Sequence, residues 1–448
     1  MGKEISTRLA EFITETQYPE IPQEVLTFTK QLTMKTVAGM VVGSSLPPSR
    51  KIANIVKNRN LNGDIGVIGC GFQTSLWEAI FLNAFFAHAS ELEDDAFGGS
   101  VSWDITVVPL LFPLAQYLRL SGKALLEALA IGLEVHVRSC MFRSERLGLM
   151  LIPGAVGPAA GAARALGLGT EETASAIGLS MSNAPLSVIN FGTDAHYFES
   201  ALQSLQGIMA AEMAKEGMSS NPNLSTYLSN YLGKDEVIPD KIVEDLGKTW
   251  ILHNIWVKKY PCCFLNHRQI DIVLGIRKQH HLSYEEVEKI IVHASPGDEP
   301  CNRPEPKTVG DLQFSFYHIL GAAMLDGDVN FTHINTDILM NPRYKEARSK
   351  VEVIIHPELS SEVMMAPARV IIKTRDGRTF SEERKYPIGS TGEPLTMDQF
   401  KALYVKFTQG VLSDRQITKT LNSIIDLEKL NDIEEFMDIL TLRHKITE

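Results

Sequence analysis

Apolar side chains recur at three- and four-residue steps over most of the chain, which is the spacing of an amphipathic helix. Pro22 has the sequence context of a helix start, so the N-terminal region is expected to contain two successive helices. The ranges with this helical pattern are 5–45, 123–140, 209–218, 221–250 and 396–448.

The period changes after Trp256, where apolar and polar positions begin to alternate. This alternation predicts strands at 289–293 and 351–356, with a helix at 314–325 among them. Residues 368–374 and those from Thr379 onward predict a hairpin, because Asp376-Gly377 is a favoured two-residue turn.

The chain is therefore predicted to be mostly α with an α+β part. A large all-helical domain is built from both chain ends, residues 1–257 and 396–448, and a smaller α+β domain is inserted at 258–395.

One predicted helix ends in an unusual concentration of polar residues. Behind a cap at Thr74 and Ser75, it carries the apolar residues Trp77, Ile80, Phe81 and Phe85 and closes at His88. The acids Glu91, Glu93, Asp94 and Asp95 and then Gly98-Gly99 follow. Acids crowded beside a histidine between two buried elements suit a proton-transfer site, because partial burial and neighbouring charge move pKa values toward neutrality. The alternative is a solvated helix end, which places acids against the helix dipole.

Two further patterns favour structural interpretations. Small residues at three- and four-residue steps in 153–169 indicate a tightly packed helix rather than a dinucleotide loop, since no β-branched strand precedes them. Glu134 and Arg138 stand four residues apart, and a surface ion pair is the favoured interpretation over a substrate contact.

Composition narrows the function classes. The chain has 448 residues, 44% hydrophobic and 22% charged, which is ordinary for a soluble protein of two domains. Its net charge of −11 argues against nucleic acid as a partner, so an anionic substrate would require a locally basic pocket.

Five cysteines without a regular spacing predict neither a disulfide framework nor an iron–sulfur cluster. No pair of histidines has zinc-site spacing, so no metal is expected. The sequence shows no apolar signal segment and no run long enough to cross a membrane, so a cytoplasmic location and no membrane partner are expected.

Four segments, 88–109, 192–207, 258–271 and 315–327, together resemble the MmgE/PrpD family, which includes 2-methylcitrate dehydratase, cis-aconitate decarboxylase and iminodisuccinate epimerase. The resemblance spans nearly the whole chain and implies the architecture given above. It also implies a homodimer, a site between the domains, no cofactor, and a small anionic polycarboxylate as substrate.

The first motifs depart from the family pattern. Where the family has a histidine and then Asp-x-Asp-Asp, this chain has His88 and Glu91-Leu92-Glu93-Asp94. The stretch 102–104, Ser-Trp-Asp, replaces a His-Pro-Gly-like element, and a second family histidine would fall near Gly148.

The later motifs also change. The lysine and histidine of the Gly-Thr-x-x-Lys-x-x-His-x-Gly motif correspond to His196 and Glu199, and a decarboxylase lysine would fall near Leu205. The tyrosine of the Ser-x-x-Tyr motif matches His318. Residues 259–263 (Lys-Tyr-Pro-Cys-Cys), His267 and Asp326-Gly327 persist.

The resemblance implies removal of a proton next to a carboxylate, which requires a base and cations that hold the developing charge. The residues expected to be catalytic are His318, His196, Glu91, Asp94 and Asp104. Those expected to bind substrate are His88, Ser102, Trp103, Lys259, Arg268, His267 and Tyr317. Lys258 and Arg138 are further candidate cations. The alternative for each candidate cation is that it is a solvated surface residue without contact to the substrate. The alternative for His318 is a structural role as a hydrogen-bonded histidine in the core. Cys262 and Cys263 are expected to be packing residues.

Three functions remain open. The leading hypothesis is a lyase similar to 2-methylcitrate dehydratase, with a decarboxylase of the cis-aconitate type as a variant. A two-base epimerase is the alternative, because residues of the dehydratase pattern are missing while His318 and the acid cluster could act from opposing domains. A binding paralogue without activity is the third.

Overall fold

The computed structural model of the protein divides the chain into two compact units. The first comprises Met1–Val188, Asp194–Ile255 and Thr396–Glu448, and the second comprises Ile189–Thr193 and Trp256–Leu395. The residues that the structure describes are 4–96, 104–139, 149–150, 154–182, 186–187, 190–221, 223–232 and 238–442.

The first unit is built from helices and two short strand pairs. Its helices before the second unit are α1 Ile5–Glu15, α2 Gln23–Ser44, α3 Pro47–Asn58, α4 Leu76–Ala89, α5 Asp104–Leu118, α6 Gly122–Ser139, α7 Val156–Leu166, α8 Thr170–Ser180, α9 Asp194–Lys215 and α10 Leu224–Leu232. The short antiparallel pairs are β1 Ile65–Gly66 with β2 Gln73–Thr74, and β3 Leu149–Met150 with β4 Leu186–Ser187. Single 3-10 turns cover Tyr18–Glu20, Pro239–Val243 and Leu252–Asn254.

The second unit combines a four-stranded sheet with helices. Its strands are β5 Val287–Ala294, β6 Val351–Ile355, β7 Ala368–Thr374 and β8 Thr379–Arg384, in the spatial order β6-β5-β7-β8. β5 and β6 are parallel, and the other neighbours are antiparallel. Its helices are α11 His267–Gln279, α12 Val309–Gln313, α13 Phe316–Asp326, α14 Thr336–Met340 and α15 Pro342–Ser349, with 3-10 turns at Phe264–Asn266, Pro296–Cys301 and Phe331–His333.

The C-terminal part of the chain belongs to the first unit again. It contains the helices α16 Met397–Thr408, α17 Asp414–Ile425 and α18 Glu434–Thr441, with a 3-10 turn at Leu427–Lys429. α16 packs against α2, which joins the two ends of the chain in one core. The predicted mostly α fold with an α+β part is confirmed.

α4 is apolar on nearly every side, which is typical of a helix enclosed by others. It packs against α2, α5 and α9. Trp77 is the exception to the predicted apolar stripe: it is 42% exposed, and its indole N–H donates to Glu212 Oε2. Because α4 is enclosed by other helices, the residues at its C-terminal end are buried in the core.

The structure confirms close helix packing over 154–169, the described part of the predicted range 153–169. A Cβ on Gly157 of α7 would lie 2.2 Å from His136 Cβ on α6, and a Cβ on Gly161 would lie 3.1 Å from Leu111. Glycine at these positions lets α7 approach α6 and α5 closely.

Several predicted boundaries are wrong. In 221–250 only Leu224–Leu232 is α-helical among the described residues, because Pro239 and the following residues form a 3-10 turn and bends. The predicted helix 314–325 corresponds to α13, which begins only at Phe316 because Ser315 caps it by accepting a hydrogen bond from the His318 N–H. The predicted helical range 396–448 contains three separate helices, α16, α17 and α18, and α17 ends at Ile425.

The hairpin at 368–384 is confirmed. β7 pairs with β8 from Ala368 opposite Arg384 to Lys373 opposite Thr379. Gly377 lies in the turn at φ +86°, a conformation that glycine adopts without strain. No helix among the described residues combines the length and apolar content that crossing a membrane requires.

Candidate active site

Three buried side chains of the first unit converge: His88, Glu91 and His196. His88 lies in the last turn of α4, Glu91 follows the end of that helix, and His196 lies in the first turn of α9. Because α4 packs against α9, the two imidazole centroids lie 4.1 Å apart, and His196 Nε2 lies 3.9 Å from Glu91 Oε1. All three residues are at most 2% exposed, so solvent screens their mutual interactions only weakly.

The turn after α4 directs Glu91 toward the histidines. Glu91 has φ +53°, in the left-handed region, and its N–H donates to His88 O at 2.9 Å. A residue with a side chain costs on the order of 1–2 kcal/mol in this region, so the surrounding contacts must hold it there.

Ser200, one turn after His196 on α9, is hydrogen-bonded to the His88 ring. The Ser200 hydroxyl lies 3.0 Å from Tyr197 O, to which it donates its single proton, and 2.8 Å from His88 Nδ1. With its proton on Tyr197 O, the hydroxyl accepts from His88 Nδ1–H, and the ring lone pair of neutral His88 is then on Nε2. A nitrogen with that lone pair can accept a proton or bind a metal ion.

A buried lysine pairs with the acid cluster. Lys35 Nζ of α2 lies 2.5 Å from Asp94 Oδ1 and donates to Leu92 O at 2.7 Å. The side chains of Lys35 and Asp94 have no exposed area. This pair ties the segment after α4 to α2.

Asp104 at the start of α5 holds the same segment. Its carboxylate accepts from the Asp94 N–H at 2.9 Å and from the Thr36 hydroxyl at 2.6 Å. Burial raises the pKa of Asp104, and the nearby Lys35 charge opposes that rise. These contacts give Asp104 a positioning role in the geometry, and its predicted catalytic role stays a prediction.

The acid cluster is not solvated. Glu91, Glu93, Asp94 and Asp95 are 1%, 4%, 0% and 7% exposed, so the alternative of a solvent-facing helix end is wrong. Carboxyl groups at such burial need partners or protons, which is the setting of a proton-transfer site.

The same three residues have the donor set of a metal site. One donor atom each from His88, Glu91 and His196 come within 4.8 Å of one another. No other group of three or more such residues in the described ranges meets that spacing. Sequence spacing missed this group because its members come from two helices about a hundred positions apart.

In the second unit, Lys259, Tyr260 and Asp271 form a network. Asp271 Oδ1 accepts from the Tyr260 hydroxyl at 2.9 Å and from Lys259 Nζ at 3.1 Å, and Asp271 Oδ2 accepts from the Ile388 N–H. Burial and the Asp271 charge raise the pKa of Tyr260 well above its usual value. The Lys259 side chain is 20% exposed, and its predicted substrate contact stays a prediction.

Arg268 and His267 at the start of α11 are buried. Arg268 donates to Asp298 Oδ1 at 2.8 Å and to Ala366 O, so its guanidinium is engaged inside the unit. The His267 ring stacks on Phe264 with centroids 4.6 Å apart. The alternative of a solvated cation is wrong for Arg268, and its contacts favour a structural role.

His318 is hydrogen-bonded through both ring nitrogens. Its Nε2 lies 2.8 Å from His333 O, to which it donates, and its Nδ1 lies 3.2 Å from Arg348 NH1, from which it accepts. Burial lowers its pKa to about 3, and the Arg348 charge adds to that effect. This geometry favours a core histidine over a base. The neighbouring Tyr317 hydroxyl donates to Asn302 Oδ1 at 3.3 Å.

We expect His318→Phe to lower the free energy of unfolding by about 1–3 kcal/mol, because it leaves buried partners of both nitrogens without a hydrogen bond. Urea unfolding measures this change, with exposed His280→Phe as the control. The kcat per folded molecule should fall by much less than the roughly 100-fold minimum expected for loss of a general base. Unchanged stability with a larger loss of kcat would restore His318 as the base.

Two buried histidines predict acid sensitivity. Burial lowers the pKa of His136 on α6, as of His318, from 6.5 to about 3. The unfolded chain therefore binds more protons than the folded one between pH 6.5 and about 3. Stability should be retained above pH 6.5 and fall below it, by up to about 1.4 kcal/mol per pH unit for each histidine. Urea unfolding across this window should show a shallower pH slope for His318→Phe, and equal slopes would contradict the prediction.

Arg138 is neither a surface residue nor a substrate cation in this arrangement. It is 1% exposed, its Nε lies 2.6 Å from Glu134 Oε1, and it donates to the carbonyls of Glu244 and Thr249. Glu134 in turn accepts from the N–H groups of Ile251 and Leu252. The predicted surface ion pair is wrong, because the pair anchors residues 242–252 to α6.

Ser102, Trp103 and Gly148 lie outside the described residues. Lys258 is 1% exposed, so the alternative of a solvated cation is wrong for it as well. Cys262 and Cys263 are buried and belong to no disulfide among the described residues, in agreement with packing roles.

Sequence reasoning missed Lys35, Thr36 and Ser200. A signal for Lys35 was present, because it is the one charged residue in the stretch 31–49. Ser200 stands four positions after His196 and so shares its helix face. Thr36 carries no comparable signal, since its partner Asp104 is distant in sequence.

Comparison with known proteins places both parts of the chain in one family. Residues 7–229 match the MmgE/PrpD N-terminal domain, and residues 260–427 match the MmgE/PrpD C-terminal domain. A cis-aconitate decarboxylase-like protein (oryM) of Aspergillus oryzae is 24% identical, with 98% of this chain and 97% of the relative covered.

Two further relatives are cis-aconitate decarboxylases. That of Homo sapiens is 24% identical over 81% of this chain and 79% of its own length. That of Aspergillus terreus is 22% identical over 97% of this chain and 96% of its own length. With both family domains matched in order along its length, the chain belongs to the MmgE/PrpD family.

Proposed function

We propose that the protein is a lyase acting on a small polycarboxylate, and that its reaction moves a proton through His88, Glu91 and His196. Family membership and relatives named for cis-aconitate decarboxylation support the reaction class. At 22–24% identity they do not define the substrate, and the altered motifs at His196 and Glu199 leave room for a different one.

The observation that carries the proposal is the arrangement around His88. Ser200 accepts from Nδ1–H, so neutral His88 holds its lone pair on Nε2 in a site closed to solvent. A carboxylate 3.9 Å from His196 Nε2 favours a positive charge on that imidazole once it takes a proton. His88 therefore supplies a proton acceptor, and His196 beside the Glu91 carboxylate supplies a second imidazole that can hold the proton.

The group suits either lyase reaction. Dehydration removes a proton from carbon, breaks the C–O bond and releases water, so the site takes up one proton and supplies one to the hydroxyl. Decarboxylation breaks a C–C bond, releases CO₂ and adds a proton to the carbon that keeps the electron pair. Each requires a group that accepts or donates one proton beside a substrate carboxylate.

The epimerase alternative gains no support from this group. Two-base epimerisation needs bases on opposite faces of a carbon, each about 3 Å from it, hence roughly 6 Å apart. The imidazole centroids of His88 and His196 are 4.1 Å apart, too close to hold a carbon between them. An epimerase would have to use a different pair of bases.

Proton NMR in D₂O with citrate, 2-methylcitrate, cis-aconitate and iminodisuccinate, incubated separately with the enzyme, tests the proposal. A new alkene from a hydroxylated acid, or loss of CO₂ from cis-aconitate with one deuterium gained, would support a lyase. Deuterium entering beside a carboxylate without a new alkene would instead support the epimerase. A panel with no change at all would count against both.

A further inference from the structure

We propose that His88, Glu91 and His196 form a binding site for one divalent ion of the zinc and cobalt class. Ion binding follows from the donor atoms alone. Its effect on turnover rests on the function proposed above.

The donor atoms are slightly farther apart than the ligands of a bound ion. They lie within 4.8 Å of one another, and His196 Nε2 is 3.9 Å from Glu91 Oε1. Ligands about 2.0–2.2 Å from a zinc ion stand roughly 3.3–3.6 Å apart in tetrahedral geometry. Side-chain shifts of about an ångström, within reach of small rotations, would complete the coordination.

The donor types select the class of ion. Two imidazoles with one carboxylate suit zinc and its neighbours in the first transition row. Magnesium and calcium prefer oxygen donors and would gain little from two ring nitrogens.

The supporting contacts are those of a ligand set. The hydrogen bond from His88 Nδ1–H to Ser200 Oγ leaves Nε2 as the nitrogen with the lone pair and fixes the ring orientation. Glu91 is 1% exposed at φ +53°, so the turn holds this carboxylate inside the protein. A divalent ion would offset the desolvation of the buried carboxylate.

Bound metal and a transferred proton would compete for the same lone pairs. An ion at the site converts the histidines from proton acceptors into ligands, because each lone pair serves one purpose at a time. Stoichiometric zinc is therefore expected to inhibit turnover, and a chelator is expected to restore it.

Metal titration of the full chain, stripped with a chelator and dialysed, tests the site. Isothermal titration with Zn²⁺ should show one ion per chain, and the visible absorption of added Co²⁺ should reach its end point at one ion per chain with bands typical of nitrogen ligation. His88→Gln and His196→Gln should each weaken binding at least tenfold, and Glu91→Gln provides a milder change that keeps the side-chain shape. Circular dichroism checks that each variant is folded.

His293→Gln is the matched control, because His293 on β5 belongs to a second histidine pair: its Nδ1 lies 2.7 Å from Nε2 of His356, the residue after β6. It should leave the stoichiometric site intact. Absence of one-to-one binding, or binding lost in His293→Gln and kept in His88→Gln, would overturn the metal site while leaving the proposed lyase untouched. One-to-one binding at His88 and His196 without inhibition would uphold the metal site and overturn the proton-transfer role of the cluster.

Discussion

Replacing His88 with glutamine is expected to lower kcat by about 10²–10⁴-fold, the usual contribution of a general acid or base. Glutamine can keep a hydrogen bond to Ser200, but it has no group that accepts a proton near neutral pH. Steady-state kinetics on the substrate found by NMR measures the change. The fall should appear in kcat rather than in KM, because the side chain acts in the transition state.

Ser200→Ala provides a graded comparison. Without the serine hydroxyl, the tautomer of His88 is no longer fixed, so kcat should fall by less than in His88→Gln while the fold persists. His280→Gln, which changes an exposed histidine of the second unit, should leave kcat unchanged. Full activity in His88→Gln would remove this histidine from the mechanism.

The fold was readable from the sequence where a single physical preference dominates. The 368–384 hairpin follows from alternation and an Asp-Gly turn, and α2 follows from an unbroken apolar period. The helix predicted over 221–250 was wrong in its second half, because the chain forms a 3-10 turn at Pro239–Val243 despite the helical spacing of the apolar residues. Trp77 was predicted to lie on the buried face of its helix and is exposed instead, since a hydrophobic side chain is not always buried.

The sequence pointed to individual residues of the candidate site, but not to which of them lie together. His88, Glu91 and His196 are near the matched motifs, but only the packing of α4 against α9 brings them together. His318 looked like a base because it replaces a tyrosine, whereas its two hydrogen bonds depend on residues 15 and 30 positions away. Arg138 looked like a surface cation because sequence spacing does not reveal the carbonyl groups that it reaches.

Replacing Lys35 with methionine is expected to lower the free energy of unfolding by about 3–5 kcal/mol, the usual cost of removing one partner of a buried ion pair. Methionine fills a similar volume, so most of the loss comes from Asp94, which would be left as an uncompensated charge without exposed area. The change also removes the hydrogen bond to Leu92 O. Urea unfolding of the purified variant measures the effect.

Two controls separate this charge effect from lost packing. Lys401→Met breaks an exposed pair with Asp398 and should change stability by less than about 1 kcal/mol. Lys35→Met combined with Asp94→Asn should recover part of the loss, because the second change removes the buried charge. If the double variant were no more stable than Lys35→Met alone, desolvated charge would not be the cause. Recovery would instead show that Lys35 stabilises the first unit by compensating the buried charge of Asp94, which lies in the segment between His88 and α5.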